Sequence, residues 1–354
     1  MVQSRQSRGL TLEKIPEDFA SPAAHRRLPK ACAVDETEPW RWTKALIDMR
    51  YTFGEVLLGS WRFPAFVART HFTELLAGAV DPRPPFLRFP PGLLAAKIPS
   101  CPVHEEMRRF AISPHYFQYA PNCYRHFYID LAGSFDDYLA KFSSKSRYTV
   151  RKKVRRFEEY SDGAIAWRAY DDKARLDEFY GYARDVSRKT YQERLLNKGL
   201  PDRPAFDEEM DAAPSVRAYL LFHGAKPIAF MCCPEQRGGL LYEHVGYDPA
   251  YREFSPGTVL MFLALRAIFA EGRYKIFDFT EGEGAHKALF ANREALCAEI
   301  YFFRRSLRCA AMVVIHAGLA GFSRGLVKLL EKTGVKSRLK NLLRHGIREQ
   351  MESS

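Results

Sequence analysis

The sequence contains no Cys-x-x-Cys pair, and its seven cysteines form no framework. Cys32, Cys101, Cys123, Cys232, Cys233, Cys297 and Cys309 are scattered and odd in number. That argues against a disulfide scaffold and a zinc site, and for reduced thiols inside a cell. Cys232-Cys233 sits in an apolar stretch and reads as core. Arg5, Arg8, Glu13, Lys14, Glu17 and Asp18 leave no apolar core of the signal-peptide kind near the start, so no secretory leader is expected. The longest apolar run near the other end, residues 309–322, contains His316 and is too short to cross a bilayer comfortably. The expectation is a cytoplasmic protein, soluble or peripheral to the inner face of a membrane. No recognition-helix motif or zinc spacing suggests a DNA partner, and no metal is expected.

What the chain does have is apolar residues and positive charge. It is 354 residues long and 47% hydrophobic, enough for a sizeable core in one or two domains. The net charge is +12 and the pI about 9.3. That balance suits an anionic partner such as coenzyme phosphates, nucleic acid or an acidic membrane surface, without choosing among them.

Residues 240–290 organise the chain. An apolar run ending at Tyr247 reads as a strand, and residues 251–257 as a loop. Ser255-Pro256 is a helix-start signal, with Ser as cap and Pro as first helical residue. Residues 258–270 form an almost wholly apolar helix, interrupted only by Arg266 and therefore buried. A strand over 275–280, a glycine-containing turn over 281–284 and a short helix complete the stretch. Strand, helix and strand in this order make a parallel βαβ unit. Its loop ends at a helix N-terminus with no acidic side chain in the first turn, where N–H groups and the helix dipole favour an anion. A plain structural turn is the other reading.

Upstream, residues 1–43 are polar and irregular, and residues 44–124 are rich in Pro and aromatics, with short strands near 63–68 and 110–119. Residues 126–131 read as a strand. Ser134-Phe-Asp-Asp137 resembles a capping box and opens a helix carrying Lys145, Arg147, Arg151, Lys152, Lys153, Arg155 and Arg156. Arg147, Arg151 and Arg155 share one helical face. That face either binds phosphates or is simply solvated, partly neutralised by Glu158 and Glu159. A strand over 164–170, a helix over 172–189 and a loop over 190–204 follow. Strands over 215–223 and 227–234 are joined by His-Gly-Ala-Lys, a hairpin turn. A last strand covers 295–304, and basic amphipathic helices cover 306–350. They either pack on the core or meet an anionic membrane.

Arg252-x-x-Ser255-x-Gly257 resembles the pyrophosphate loop of the GNAT acyltransferases, R/Q-x-x-G-x-G/A, with Ser in place of the first glycine. Gly246-Tyr247-Asp248-Pro249, Ser255-Pro256-Gly257, Asp278-Phe279 and Lys287 together resemble the CelD-like branch, which is related to the Fem aminoacyltransferases. Lys189-Thr190-Tyr191-Gln192 and the basic helix at Ser146-Arg147 fit it too. The match spans residues 125–305. It implies an α/β fold of the α+β kind, a GNAT-like mixed sheet with a degenerate N-terminal half over 44–124 and helices at the C-terminus. It also implies an acyl-CoA donor, acetyl-CoA first, held by Val245, Gly246, Arg252, Ser255, Pro256, Gly257 and Thr258. The strand ending at Tyr247 would splay from the strand at 276–280, with the acyl arm between them. Arg147, Arg151, Tyr191, Gln192 and Lys287 would face the substrates.

Acyl transfer to an amine needs a base, a polarised thioester carbonyl and a proton for the departing thiolate. A backbone N–H between Val245 and Tyr247 suits the carbonyl. Asp278 alternates against Phe277 and Phe279, so it shares a sheet face with Ile276 and Thr280. Such a carboxylate is either the base or a structural partner of a cation such as Lys287. Glu281 and Glu283 follow at the strand's carboxyl end, where ligands of open α/β sheets collect. His244, alternating with Glu243, is a second candidate base or a hydrogen-bonded sheet histidine. Tyr242 or Tyr247 is placed to protonate the thiolate, if not simply packed. The resemblance implies an N-acyltransferase acting on a polar amine, such as an amino sugar of envelope or exopolysaccharide synthesis. Two alternatives stay open: a Fem-like transferase using aminoacyl-tRNA, and a non-catalytic protein that binds acyl-CoA or another anion.

Overall fold

The computed structural model describes residues 42–53, 56–68, 72–77, 92–190, 193 and 199–332. Tyr191 and Gln192 lie outside the described residues, as do 1–41 of the expected irregular arm.

Apolar runs bounded by turn residues build one mixed sheet, as the sequence suggested, but a larger one than its short strand signals imply. In chain order the strands are β1 (Trp42–Phe53), β2 (Val56–Ala68), β3 (Ala95–Pro102), β4 (Phe110–Ile112), β5 (Tyr116–Tyr119), β6 (Cys123–Asp130) and β7 (Trp167–Tyr170). There follow β8 (Val216–His223), β9 (Lys226–Gln236), β10 (Gly239–Leu241), β11 (His244–Tyr247), β12 (Ile276–Asp278) and β13 (Arg293–Arg304). Among the described residues their spatial order is β1-β2-β3-β13-β6-β12-β10-β9-β8-β7, with β11 on β9 and β5 on β13. β13 is central, pairing antiparallel with β3 and β5 and with β6. Its apolar run at residues 295–303, broken only by Glu299, is what a strand covered on both faces requires.

The helices are α1 (Phe72–Ala77), α2 (Phe135–Ala140), α3 (Ser144–Tyr160), α4 (Leu176–Ser187), α5 (Arg203–Ala212), α6 (Pro256–Glu271), α7 (Ala285–Phe290) and α8 (Leu307–Lys332). The helix expected from Ser134 onward is in fact two. Ser134 and Asp137 form the capping box of α2, then Ser143 caps α3 by accepting from Ser146 N–H. α5 fills a span the sequence reading left unassigned, although Asp202-Arg203-Pro204 carries its cap and its early proline.

α6 is apolar nearly all round and is buried to match, with Val259, Leu260, Met261, Ala264, Leu265 and Ile268 at 2% exposure or less. Each of its fully buried large side chains contributes ~1.5–3 kcal/mol. With Phe157 of α3 and Tyr138 of α2, it packs on Leu240, Phe277, Phe279 and Tyr219 of one sheet face. On the other face Phe179 and Val186 of α4 and Phe206 and Met210 of α5 pack on Leu220, Phe230 and Cys232. β10 and β12 run parallel, with Gly239 opposite Ile276 and Leu241 opposite Asp278, so the βαβ unit around α6 forms as expected.

Candidate active site

The site begins where two strands part. Pairing between β10 and β12 ends with Tyr242 N–H donating to the Asp278 carbonyl at 2.8 Å. Glu243 N–H then turns back to the Leu241 carbonyl at 3.0 Å, a three-residue turn that bends the strand. Beyond it β11 pairs with β9, so a gap opens beside the end of β12. Asp248 N–H donates to Ile228 in the register that sets His244 opposite Cys232 and Gly246 opposite Phe230. By antiparallel alternation the N–H groups of His244 and Gly246 point at β9, and those of Val245 and Tyr247 point into the gap.

The floor of the gap is the start of α6. Residues 249–254 form a 3-10 turn, and Ser255 adopts φ +53°, ψ +50°. Ser255 does occupy the cap position, but in this left-handed conformation its side chain makes no capping hydrogen bond. That corrects the expected role, and it shows why a glycine suits this point of the motif. Pro256 and Thr258 are buried, Gly257 is half-buried, and Arg252 is exposed on the turn. A side chain added at Gly257 would meet only the Tyr247 ring, at 3.8 Å. At Gly246, by contrast, an added carbon would lie 2.6 Å from the Phe230 ring and 3.0 Å from the Thr190 methyl. Gly246 is therefore required by packing, whereas Gly257 faces open space. The turn itself is anchored by Asp248, which accepts from Ala250 N–H at 3.0 Å and pairs with Lys226 at 3.3 Å and Lys189 at 3.6 Å. Burial alone would raise the Asp248 carboxyl, but these partners outweigh it and hold it below its usual range.

Asp278 is engaged on the opposite side from the one foreseen. Its Oδ1 accepts from His126 Nε2 at 2.6 Å and from Thr280 N–H at 2.7 Å. Both side chains of the His126 pair are buried, the imidazole is stacked on Phe72 at 3.9 Å, and Ser100 Oγ lies 3.3 Å from Nδ1. The side chain paired with Asp278 is thus His126 rather than Lys287. Lys287 Nζ instead donates to the carbonyls of Glu281, at 2.7 Å, and Thr280, at 3.3 Å. Burial pushes its ammonium pKa down, against the pull of Asp278, Glu243 and Glu281. Thr280 holds φ +59°, unusual for a β-branched residue. Asp278 from one side and Lys287 from the other fix this strained turn, from which Glu281 projects.

Two carboxyls stand at the gap itself. Burial raises Glu243, with Glu209 and Asp278 adding to the shift and His244 and Lys287 opposing it. Burial likewise raises Glu281, helped by Glu299 and Glu243 and opposed by Lys97 and His126. Both side chains are crowded by protein yet open to solvent along one edge, which screens these shifts. His244 points to the other sheet face, where Nε2 lies 2.9 Å from Glu209 Oε2. Tyr247 is 38% exposed over the first turn of α6, and Tyr242 is packed against Phe277 and Phe279 with its hydroxyl 3.3 Å from His286 Nε2. Glu283 is tied to the Arg125 N–H at 2.8 Å.

α3 packs beside α6 through Val150 and Phe157. Its contact with the donor-side turn is made by Arg156, which bonds the Glu253 carbonyl and carboxylate and lies over the Phe254 ring. At about 100° of rotation per residue, Arg155, Arg151 and Arg147 lie progressively further round the helix from Arg156. Arg147 is half-buried, and Arg151 and Arg155 are exposed. The flank nearer the turn carries Lys153 and Arg156, and Lys153 lowers His286 electrostatically. Glu243, His126, His286 and Arg156 are the participants that sequence reasoning passed over. Only Glu243 had a local signal, a carboxylate in an otherwise apolar strand.

Residues 144–288, from α3 into α7, match the family model described as an acetyltransferase (GNAT) domain. No curated protein matches the chain. Solved structures similar to it include L-PGS from Bacillus licheniformis, 12% identical over 79% of this chain and 89% of that one, with a TM-score of 0.44. The C-terminal domain of a putative lysylphosphatidylglycerol synthetase from Agrobacterium fabrum is 11% identical over 79% and 89%, TM-score 0.43. FemX is 9% identical over 77% and 90%, TM-score 0.43. The fold is mixed α/β, and the segment similar to an acetyltransferase (GNAT) domain is residues 144–288 of it. Among the described residues no group of His, Cys, Asp and Glu is arranged to hold a metal, and no helix is long and apolar enough to cross a membrane.

Proposed function

We propose that the protein is an acyl-CoA-dependent N-acyltransferase, with acetyl-CoA as the first donor to test and a polar amine, such as an amino sugar, as acceptor. The observation that carries this reading is the parting of β10–β11 from β12 directly above the N-terminus of α6. The donor pyrophosphate sits on the N–H groups that open α6, near Gly257 and Thr258, with Arg252 at its edge. The pantetheine arm runs along β11, and the N–H of Val245 or Tyr247 takes the charge that develops on the thioester oxygen.

Glu243 is the general base in this reading. The acceptor ammonium first gives one proton to Glu243, and the freed amine nitrogen attacks the thioester carbon. The carbon–sulfur bond then breaks, Tyr247 supplies a proton to the thiolate, and the second proton of the nitrogen replaces the one Tyr247 gave. Asp278 acts through others, holding His126 and the Thr280 turn and so the position of Glu281. Glu243 and Glu281 stand at the gap, which favours an amine that arrives as a cation. A donor of aminoacyl-tRNA is the second reading, favoured by the basic flank of α3 beside the turn.

Acetyl-CoA binding by calorimetry tests the donor site, on the wild type and on Gly257→Glu. The added carboxylate enters open space at the helix start, so the fold is expected to survive while affinity falls by roughly a hundredfold or more, about the loss of one charged hydrogen-bond partner with like-charge repulsion. Binding that is unchanged in the variant would move the donor elsewhere. Salt-sensitive tRNA binding without acyl-CoA binding would favour the second reading.

A further inference from the structure

α8 is apolar on both of its faces. Ser306 starts it, its Oγ accepting from Cys309 N–H at 3.2 Å. Cys309, Met312 and Val313 form the inner face, packed against Met49, Phe63, Tyr119 and Phe303 of the sheet. His316 continues that face, its Nδ1 2.7 Å from Tyr119 Oη and its Nε2 3.1 Å from the Arg50 carbonyl. Leu307, Ala311, Val314, Ile315 and Gly318 fall at i, i+4, i+7, i+8 and i+11, on the opposite side. They are exposed: Leu307 at 92%, Val314 at 67% and Ile315 at 52%. A surface helix ordinarily turns polar side chains to water there.

Along the chain the charge beside this face has one sign. No Asp or Glu occurs between Glu299 and Glu331, whereas Arg304, Arg305, Arg308, Arg324 and Lys328 do. Arg304, Arg305 and Arg308 are exposed at the start of α8, and its first turn has no acidic residue. Cations there oppose the helix dipole, a cost that an anionic partner removes. A second copy of the same face would set like charges together. The helix is not long and apolar enough to span, so it would lie in the plane of a surface.

We propose that the outer face of α8 docks on an anionic lipid surface, Leu307, Val314 and Ile315 entering the headgroup layer and Arg304, Arg305 and Arg308 meeting lipid phosphates. The proposal is independent of the transferase reading, since α8 lies outside the residues matched to the acetyltransferase domain.

Co-sedimentation of the full chain with vesicles tests it, using phosphatidylcholine alone and phosphatidylcholine mixed with phosphatidylglycerol. The wild type is expected to pellet with the mixed vesicles only and to be released by salt. Arg304→Gln with Arg308→Gln should weaken binding by roughly fivefold per charge removed. Val314→Glu with Ile315→Glu changes exposed positions only, so the fold should persist and binding should fall by more than roughly tenfold. Failure of the wild type to bind mixed vesicles overturns the proposal, as does equal binding to phosphatidylcholine alone or binding untouched by both variants. A concentration-dependent dimer that the Val314/Ile315 variant abolishes would also overturn it, assigning the face to a second copy.

Discussion

Asp278 and Glu243 are carboxylates beside the same gap, and their surroundings give them different work. Asp278 Oδ1 already accepts from His126 and from the Thr280 N–H, whereas Glu243 stands at the bend with solvent on one edge. Glu243→Gln is expected to lower kcat by about 10²–10⁴, the usual worth of a general base, with acetyl-CoA affinity kept. Because burial raises the Glu243 carboxyl, wild-type activity should rise with pH through a point above the ordinary glutamate range, and that acid limb should vanish in the variant. Asp278→Asn, by contrast, breaks the buried contacts to His126 and to the Thr280 N–H, and is expected to cost about 1–3 kcal/mol in urea unfolding. Its surviving folded fraction should keep the acid limb. His286 supplies a separate pH signal. Burial, with Lys153 and Lys287, lowers it from 6.5 to about 4. As pH falls between those values the unfolded chain takes up a proton that the folded one refuses, so stability is present above the upper value and is lost toward the lower one. Solvent screening limits the loss to on the order of 2 kcal/mol. His286→Gln should flatten the urea midpoint against pH; a profile that is equally steep in the variant would remove His286 from the account. The alternation that separates Asp278 from Phe277 and Phe279 was legible in the sequence. Its partner was not, because His126 is 152 positions away and only strand pairing brings the two together.

Ser255, in the loop entering α6, and Gly246, in β11, are under opposite demands. Ser255 holds a left-handed conformation without a capping hydrogen bond, so Ser255→Gly removes strain and is expected to stabilise the protein by about 1 kcal/mol. Gly246 has the Phe230 ring and the Thr190 methyl where a β-carbon would go, so Gly246→Ala should destabilise by about 1–3 kcal/mol. Thermal or urea unfolding of the two variants checks both signs, and a stabilising Gly246→Ala would refute the packing account. Helix α6 and its flanking strands were readable because their signals are local: an apolar run, a proline at the first turn, a glycine after the last. The break between α2 and α3 was missed although Ser143 marks it, because Lys141-Phe142-Ser143-Ser144 holds no glycine or proline to punctuate the helix. The bend at Glu243 has no local marker; it arises because the strand leaves β12 while staying paired with β9. The Arg147–Arg151–Arg155 row was visible as a helical face, but spacing along α3 cannot say which flank meets the turn. The contact of Arg156 with Glu253 does.

At the scale of the molecule, one sheet joins strands from both halves of the chain, and β13 is the link. It comes late in the sequence, yet it pairs with β3 on one side and with β5 and β6 in succession on the other, while β6 also pairs with β12 at the site. Asn292, just before β13, reinforces the join: its side chain accepts from Asp130 N–H at 2.8 Å and donates to the Asp130 carbonyl at 3.0 Å. The pair of Asp278 with His126, and through it Ser100 of β3, crosses the same seam. No linker lies there to be melted separately, so the described halves are expected to unfold together. Trp61 packs on Phe63 and Phe303 in one half, and Trp167 stacks on Tyr219 in the other. With Trp40 and Trp42 also replaced by Phe, tryptophan emission of Trp61→Phe and of Trp167→Phe should therefore report the same urea midpoint, coincident with the far-ultraviolet circular dichroism of each variant. The expectation extends to ligand, because a donor bound at α6 stabilises whatever unfolds with α6. Acetyl-CoA should raise the midpoint seen by Trp61, which lies outside the residues of the acetyltransferase match. A Trp61 transition that precedes the other and ignores the donor would mean that the halves fold apart and that β13 joins them only weakly.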